Sequence, residues 1–252
     1  NSRPFGLACL PAVIQPETVI GVSYDEGSAL IVASAEVLDG KKQKVETDVV
    51  SFDFGLVGSE SLEWSEIHSD LLFTAAAADP EKGLVYLARP GELYVADMAA
   101  KKPKPELLST FDDSINFNQM ELDRIGNRLL ATDRDAGSLY LMDLSLETPL
   151  PVLEASDLGP VVEMELSQED SSLLLINTAG KRVLEVECPR GSDGCSPPEL
   201  FASIPEFEQP LSVARAADGT VWVGDLGAQS IFGFDADGNL SEVLDSMSGF
   251  QE

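Results

Sequence analysis

The feature that most limits what this chain can fold into is an internal repeat. Its most legible copy runs Gln209-Pro210-Leu211-Ser212-Val213-Ala214-Arg215, turns at Ala217-Asp218-Gly219, and continues as Thr220-Val221-Trp222-Val223-Gly224-Asp225. After Gly227-Ala228-Gln229 come Ser230-Ile231-Phe232-Gly233-Phe234-Asp235, the turn Asp237-Gly238-Asn239, and Leu240-Ser241-Glu242-Val243-Leu244. Short β-prone runs separated by Gly and Asp turns describe a four-stranded antiparallel meander. The same order recurs around Leu129–Asp133 with Ser138–Asp143, Leu84–Ala88 with Glu92–Asp97, Leu173–Asn177 with Arg182–Glu187, and, most diverged, Leu30–Ser34 with Val49–Asp53.

Leu30, Leu84, Leu129, Leu173 and Val221, each the first apolar residue of a second strand, are spaced 54, 45, 44 and 48 residues apart. Propeller blades repeat at about 40 to 50 residues, and the Val, Ile, Leu and Tyr alternation replaces the i, i+3, i+4 pattern of a helical solenoid. The expectation is an all-β chain, one closed β-propeller domain over residues 1–252, with five four-stranded antiparallel blades. A sixth blade stays open, because Arg3-Pro4-Phe5-Gly6-Leu7-Ala8-Cys9 resembles the innermost strand at Pro210–Ala214. That segment fits an early first strand, a strand that closes the ring, or the remnant of another blade.

The third strand of every copy closes on an acidic residue: Asp53, Asp97, Asp143, Glu187 and Asp235. A carboxylate at a strand end accepts hydrogen bonds from backbone N–H groups of the following turn. A residue present in every blade serves the blade, so these five are read as structural and set aside as catalysts.

Charge narrows the function. Forty-four acidic residues against sixteen basic ones give a net charge of −28. Neutralising phosphates requires Lys and Arg patches, and the basic runs, Lys41-Lys42-Gln43-Lys44 and Lys101-Lys102-Pro103-Lys104, are short and flanked by acidic sequence. Nucleic acid and anionic lipid are excluded as partners; solubility, tolerance of salt and a cationic partner are favoured. No apolar run of about 18 residues is present to span a bilayer. The opening Asn1-Ser2-Arg3-Pro4-Phe5 lacks the apolar core of a signal peptide, so either the protein is cytosolic or its export segment lies outside this sequence.

The cysteines favour export. Cys188 and Cys195 flank the turn-rich Pro189-Arg190-Gly191-Ser192-Asp193-Gly194, which can bring two thiols within disulfide reach. Zinc is the alternative, but it needs four ligands, and only Cys9 and His68 remain. Cys9 is left as a small buried hydrophobe. The expected location is extracytoplasmic: periplasm, cell surface or secreted.

Candidate chemistry sits on the innermost strands, which line a propeller's channel. They contain Thr74–Ala78, Asn118–Glu121, Val162–Glu165 and Leu211–Val213, and the polar residues able to project inward are Asn118, Gln119, Glu163 and Ser212. The alanine run at 75–78 reads as packing. A Ser-His-acid set would have to use His68, the one histidine, on an outer strand far from the channel. No Gly-rich phosphate loop follows a strand and opens a helix. Asp235-Ala236-Asp237-Gly238-Asn239 resembles the opening of a calcium loop, but Ser246 stands where the twelfth-position acid belongs, and a hairpin turn is the better reading. Asn239-Leu240-Ser241 matches a glycosylation sequon by pattern alone, and two Trp and four Tyr argue mildly against a stacked-aromatic carbohydrate platform.

Gln209 to Gly238 resembles the repeats of NHL- and YVTN-type propellers, and the resemblance extends at repeat level over essentially the whole chain. It implies a propeller fold and leaves function open, since such propellers include scaffolds, ligand binders and calcium-dependent lactonases. In gluconolactonase-like members calcium is held in the channel by oxygens from several blades, and Asn118 with Glu163 resembles part of such a set. Calcium takes about six to eight oxygens, and the other blades offer no clear partners. The expectation is a monomeric, non-enzymatic interaction platform for a protein or small ligand, with a calcium-dependent lactonase or esterase-like hydrolase as the alternative. The 38–48 loop, the Cys188–Cys195 insert and the channel residues are where the blades differ.

Overall fold

The computed structural model describes residues 19–25, 28–39, 42–53, 62–67, 71–191, 194–216 and 218–245. The chain is an all-β propeller of five four-stranded antiparallel sheets, each a meander in which consecutive strands pair. Sheet one holds β1 (Val19–Asp25), β2 (Ser28–Asp39), β3 (Lys42–Asp53) and β4 (Leu62–Ile67). Sheet two holds β5 (Ala75–Asp79), β6 (Leu84–Arg89), β7 (Glu92–Asp97) and β8 (Glu106–Thr110), and sheet three β9 (Phe117–Asp123), β10 (Arg128–Asp133), β11 (Ser138–Asp143) and β12 (Val152–Ala155). Sheet four comprises β13 (Val161–Leu166), β14 (Ser172–Asn177), β15 (Arg182–Glu187) and β16 (Glu199–Ala202); sheet five comprises β17 (Pro210–Arg215), β18 (Val221–Asp225), β19 (Ser230–Phe234) and β20 (Leu240–Asp245).

The second strands of sheets two, three and four read as largely apolar runs because each is buried on both faces. Side chains alternate across a strand, so Leu173 and Leu175 of β14 join Leu130, Leu139, Leu158, Val161 and Met164 in the core between sheets three and four. Leu174 and Ile176 point the other way, into the core with Phe207, Val221, Val223, Phe232 and Phe234. The alanine run packs as expected: Ala75 and Ala77 meet Phe117 and Met120 of sheet three, while Ala76 and Ala78 meet Ile67 and Phe73. Small residues let the neighbouring sheets approach closely there.

Two expectations are corrected. The ring is not closed among the described residues: close contacts link β1 to β5, β5 to β9, β9 to β13 and β13 to β17, and no comparable contact joins the fifth sheet to the first. β18 shows the consequence, since Val221, Val223 and Asp225 are buried while Trp222 and Gly224 on the opposite face are only half-buried. The 38–48 loop is also largely strand. β2 and β3 pair without a break from Ser28 with Asp53 to Asp39 with Lys42, extending past the ends of β1 and β4 as a two-stranded ribbon. Val, Thr and Lys alternation in Lys44–Asp48 supports strand pairing as readily as a loop. The segment 3–9, Cys9 and His68 lie outside the described residues.

Candidate functional site

Strand-end acids build the frame around the inner strands. Asp97 and Asp143 each accept from the N–H two residues on, Ala99 at 2.9 Å and Ser145 at 2.8 Å, and Asp235 accepts from Asp237 and Asn239. Asp235 thereby closes its own hairpin, which accounts for the calcium-loop likeness of that turn. Glu187 departs from the rule: its backbone N–H donates to Ser196 Oγ at 2.9 Å.

A second set, on the second strands, is buried and stronger. Asp225 accepts from Glu208, Gln209 and Ala228 N–H groups at 2.8, 2.8 and 2.9 Å, and Asp133 from Asn116, Asp135 and Ala136 at 2.9, 3.0 and 3.0 Å. Asn177 accepts from Gly180 N and donates Nδ2 to Leu158 O. Each ties the segment entering its sheet to the turn leaving the second strand, which fixes where the inner strand begins. The recurrence of Asp133, Asn177 and Asp225 at one repeat position was the sequence signal for this set.

The seam between β9 and β13 is where the channel residues meet. Asn118 donates Nδ2 to Val161 O at 3.1 Å, and Gln119 donates Nε2 to Val162 O at 3.0 Å. Both amides stitch neighbouring inner strands together. At the other end Gln168 donates Nε2 to Leu122 O at 2.7 Å and accepts from Arg124 N at 3.1 Å. Between these stitches lie three carboxylates, Glu121 on β9 and Glu163 and Glu165 on β13, each half-buried.

Their electrostatics is that of like charges at a poorly solvated edge. Burial, then the charges of Glu163 and Glu165, holds the Glu121 carboxyl well above the usual carboxylate range. Burial pushes Glu163 up to about 7 against the opposing Met164 N–H bond, with Glu165 adding to the rise. Burial also raises Glu165, partly offset by Arg215, whose N–H donates to Glu165 Oε1 at 2.8 Å. Glu165 Oε2 is buried with no hydrogen-bond partner. Sequence reasoning singled out Glu163 and passed over Glu121 and Glu165, although the alternation that points Glu163 inward applies equally to Glu165.

Ser212 is not part of this group. It lines a shallow hollow with Leu211, Gly224, Leu226, Ile231 and Leu244 of sheet five, while its neighbour Val213 packs against the core shared with sheet four. The seam thus brings together Asn118, Gln119 and Glu163 and leaves Ser212 apart. Asn118 gives its Nδ2 to Val161 O and takes a long bond of 3.5 Å from Thr132 Oγ1 on its Oδ1, the atom a calcium ion would use, and among the described residues no three His, Cys, Asp or Glu side chains are grouped to hold a metal.

The expected disulfide joins Cys188 and Cys195. Its loop is docked in the body of the fold. Arg190 donates Nε to both carboxylate oxygens of Asp123, at 2.9 and 3.1 Å, and its Nη atoms to Gln168 O and Glu169 O at 2.6 and 3.2 Å. Asp123, fully buried, also accepts from Arg128 Nε and Gly126 N, each at 2.9 Å, while Arg128 reaches the Cys188 and Pro189 carbonyls. Burial works to raise the Asp123 pKa, but Gly126, Arg128 and Arg190 together bring it below its ordinary value. The loop is therefore a pin between sheets three and four.

Comparison with known proteins agrees at the level of fold. A luciferin-regenerating enzyme superposes with a TM-score of 0.65 at 14% identity over 90% of this chain and 76% of that one. A chain from a nidogen/laminin complex superposes with a TM-score of 0.64 at 14% identity, over 91% and 80% respectively. Both are β-propellers. No family model and no curated protein sequence matches, so what these comparisons support is the propeller fold. One structural relative is an enzyme and the other belongs to a protein–protein complex.

Proposed function

We propose that this chain is a non-enzymatic, extracytoplasmic propeller that serves as a monomeric platform for a protein or small ligand of cationic character. The observation that carries this reading is the division of labour on the seam. Asn118 and Gln119 are engaged in stitching β9 to β13, which leaves the carboxyl group cluster of Glu121, Glu163 and Glu165, the last held by Arg215 N, as the acidic feature of the seam that a cationic ligand would meet. A net charge of −28 extends the same preference over the surface and favours fast, salt-sensitive encounter with a basic partner. The disulfide supports an oxidising compartment, and the nidogen/laminin relative is a precedent for protein recognition on such a scaffold. Among the described residues no helix is long and apolar enough to cross a membrane.

The reading is tested by calorimetric titration with a lysine-rich peptide and a neutral peptide of equal length, at low and high salt. Binding of the basic peptide alone, weakened by salt and by Glu163→Gln, is the expected result. Calcium-dependent hydrolysis of lactones or aryl esters that is lost in Glu163→Ala would replace the platform with a hydrolase. Thiol counting under denaturing conditions addresses the compartment: one free thiol is expected, and three would remove the argument for export.

A further inference from the structure

We propose that the Cys188–Cys195 loop is a thiol-controlled latch on the seam between sheets three and four, holding Arg190 on Asp123 while the disulfide stands and releasing it on reduction. Arg190 lies 67 residues from Asp123 in sequence and sits on a loop that the disulfide closes over a separation of 7 residues. From that loop a single guanidinium meets Asp123 in sheet three and the Gln168 and Glu169 carbonyls beyond β13. Cys195 adds an anchor, its N–H donating to Glu154 Oε2 of β12 at 2.8 Å.

Without the covalent closure, the arm is held at its base by Glu187 N to Ser196 Oγ and Ser196 N to Glu187 O, at its start by Cys188 N on Ser171 O and by Arg128 on the Cys188 and Pro189 carbonyls, and at its far end by Cys195 N on Glu154, leaving Arg190 itself without a covalent brace. Opening the short loop restores the conformational freedom its closure removes. Arg190 then has to be ordered afresh each time it returns to Asp123. Arg128 keeps one bond to the buried carboxylate, so the seam loosens and does not collapse. The direct neighbours of the latch, Gln168 with its bonds to Leu122 and Arg124, are the stitches that hold that end of the β9–β13 edge. Release at Arg190 therefore gives water access toward Glu121, Glu163 and Glu165.

The chemistry is a balanced exchange. A dithiol reductant attacks Cys195 Sγ, since Cys195 is partly exposed and Cys188 fully buried. The protein S–S bond gives way to a mixed disulfide, which the reductant's second thiol resolves. Two electrons and two protons end on Cys188 and Cys195, and the reductant leaves as its cyclic disulfide.

Amide hydrogen exchange on the full chain tests the latch, with β6 (Leu84–Arg89) as internal control. Reduction is expected to speed exchange by about 10- to 100-fold in residues 122–128 and 167–172. Arg190→Gln in the oxidised protein is expected to do the same, with little further change when that variant is reduced. The milder Arg190→Lys, which keeps the charge and loses the fork, is expected to fall between the two. If reduction speeds exchange only within 188–196, or if the effects of reduction and of Arg190→Lys simply add at 122–128, the loop is not a latch.

Discussion

The interface between sheets three and four and the one between sheets four and five share β13 and β14, yet they are held by different means. The first combines an apolar cluster with a buried carboxylate bonded to two arginines and a disulfide-closed arm. The second is filled by aromatic rings: Phe207 stands edge-on to Phe232 and Phe234 at 5.5 and 5.9 Å, and Phe201 to Phe234 at 6.5 Å. An apolar interface is held chiefly by buried area, since the hydrophobic term is non-directional, with edge-to-face ring contacts adding a weaker preference for geometry. The ion network is directional, because two guanidinium groups must converge on one buried carboxylate. Position is specified at the first interface and volume at the second.

Breaking the ion network should have the largest effect. Asp123→Ala leaves Arg128 without its buried counter-charge and is expected to destabilise by about 3–5 kcal/mol in denaturant unfolding. Phe207→Leu, at the aromatic interface, should cost about 1–2 kcal/mol with its core otherwise intact.

Within the sheet-three/sheet-four seam, two carboxyl groups should show opposite pH dependence. Glu163 has its pKa raised on folding, so the stability tied to its protonated form is present at low pH and lost as pH rises toward and through about 7. Glu163→Gln is therefore expected to raise stability by about 1–2 kcal/mol at pH ~8, allowing for solvent screening, and to do little near pH ~5. Asp123 carries the opposite sign. Its pKa is lowered on folding, so its contribution is present above the ordinary aspartate range and is lost as acid protonates it. The smallest effect is expected from Asp143→Ala, which removes the hairpin bond to Ser145 at an exposed position and should cost less than about 1 kcal/mol by thermal melting.

Legibility followed the range of the interactions. Turns, strands and third-strand acids are local, and the repeat displayed them: every predicted second strand is present, and Asp97, Asp143 and Asp235 bond as their positions imply. Partners across sheets were hidden. Asp123 meets Arg190 over a span in which no spacing rule operates, and nothing in the strand shows that the Val161 carbonyl lies beside Asn118 Nδ2. Glu163 was found and Glu121 was not, since the repulsion that binds them into one group arises only when β9 and β13 are set edge to edge. That Ser212 lines a hollow with Gly224, Ile231 and Leu244 depends on the pairing of β17 to β20, which the strand's own sequence does not display.

The two-sided burial of the second strands has a mechanical meaning. A sheet such as the fourth cannot shift against one neighbour without disturbing the other, because adjacent residues of a single strand, Leu174 and Leu175, belong to opposite cores. The sheets thus behave as a row of coupled units, each stabilised by the ones beside it. In such a row a disturbance in one sheet is handed to the next through their shared strand, and the pin at Asp123 stands where one advancing from the sheet-four side would have to stop.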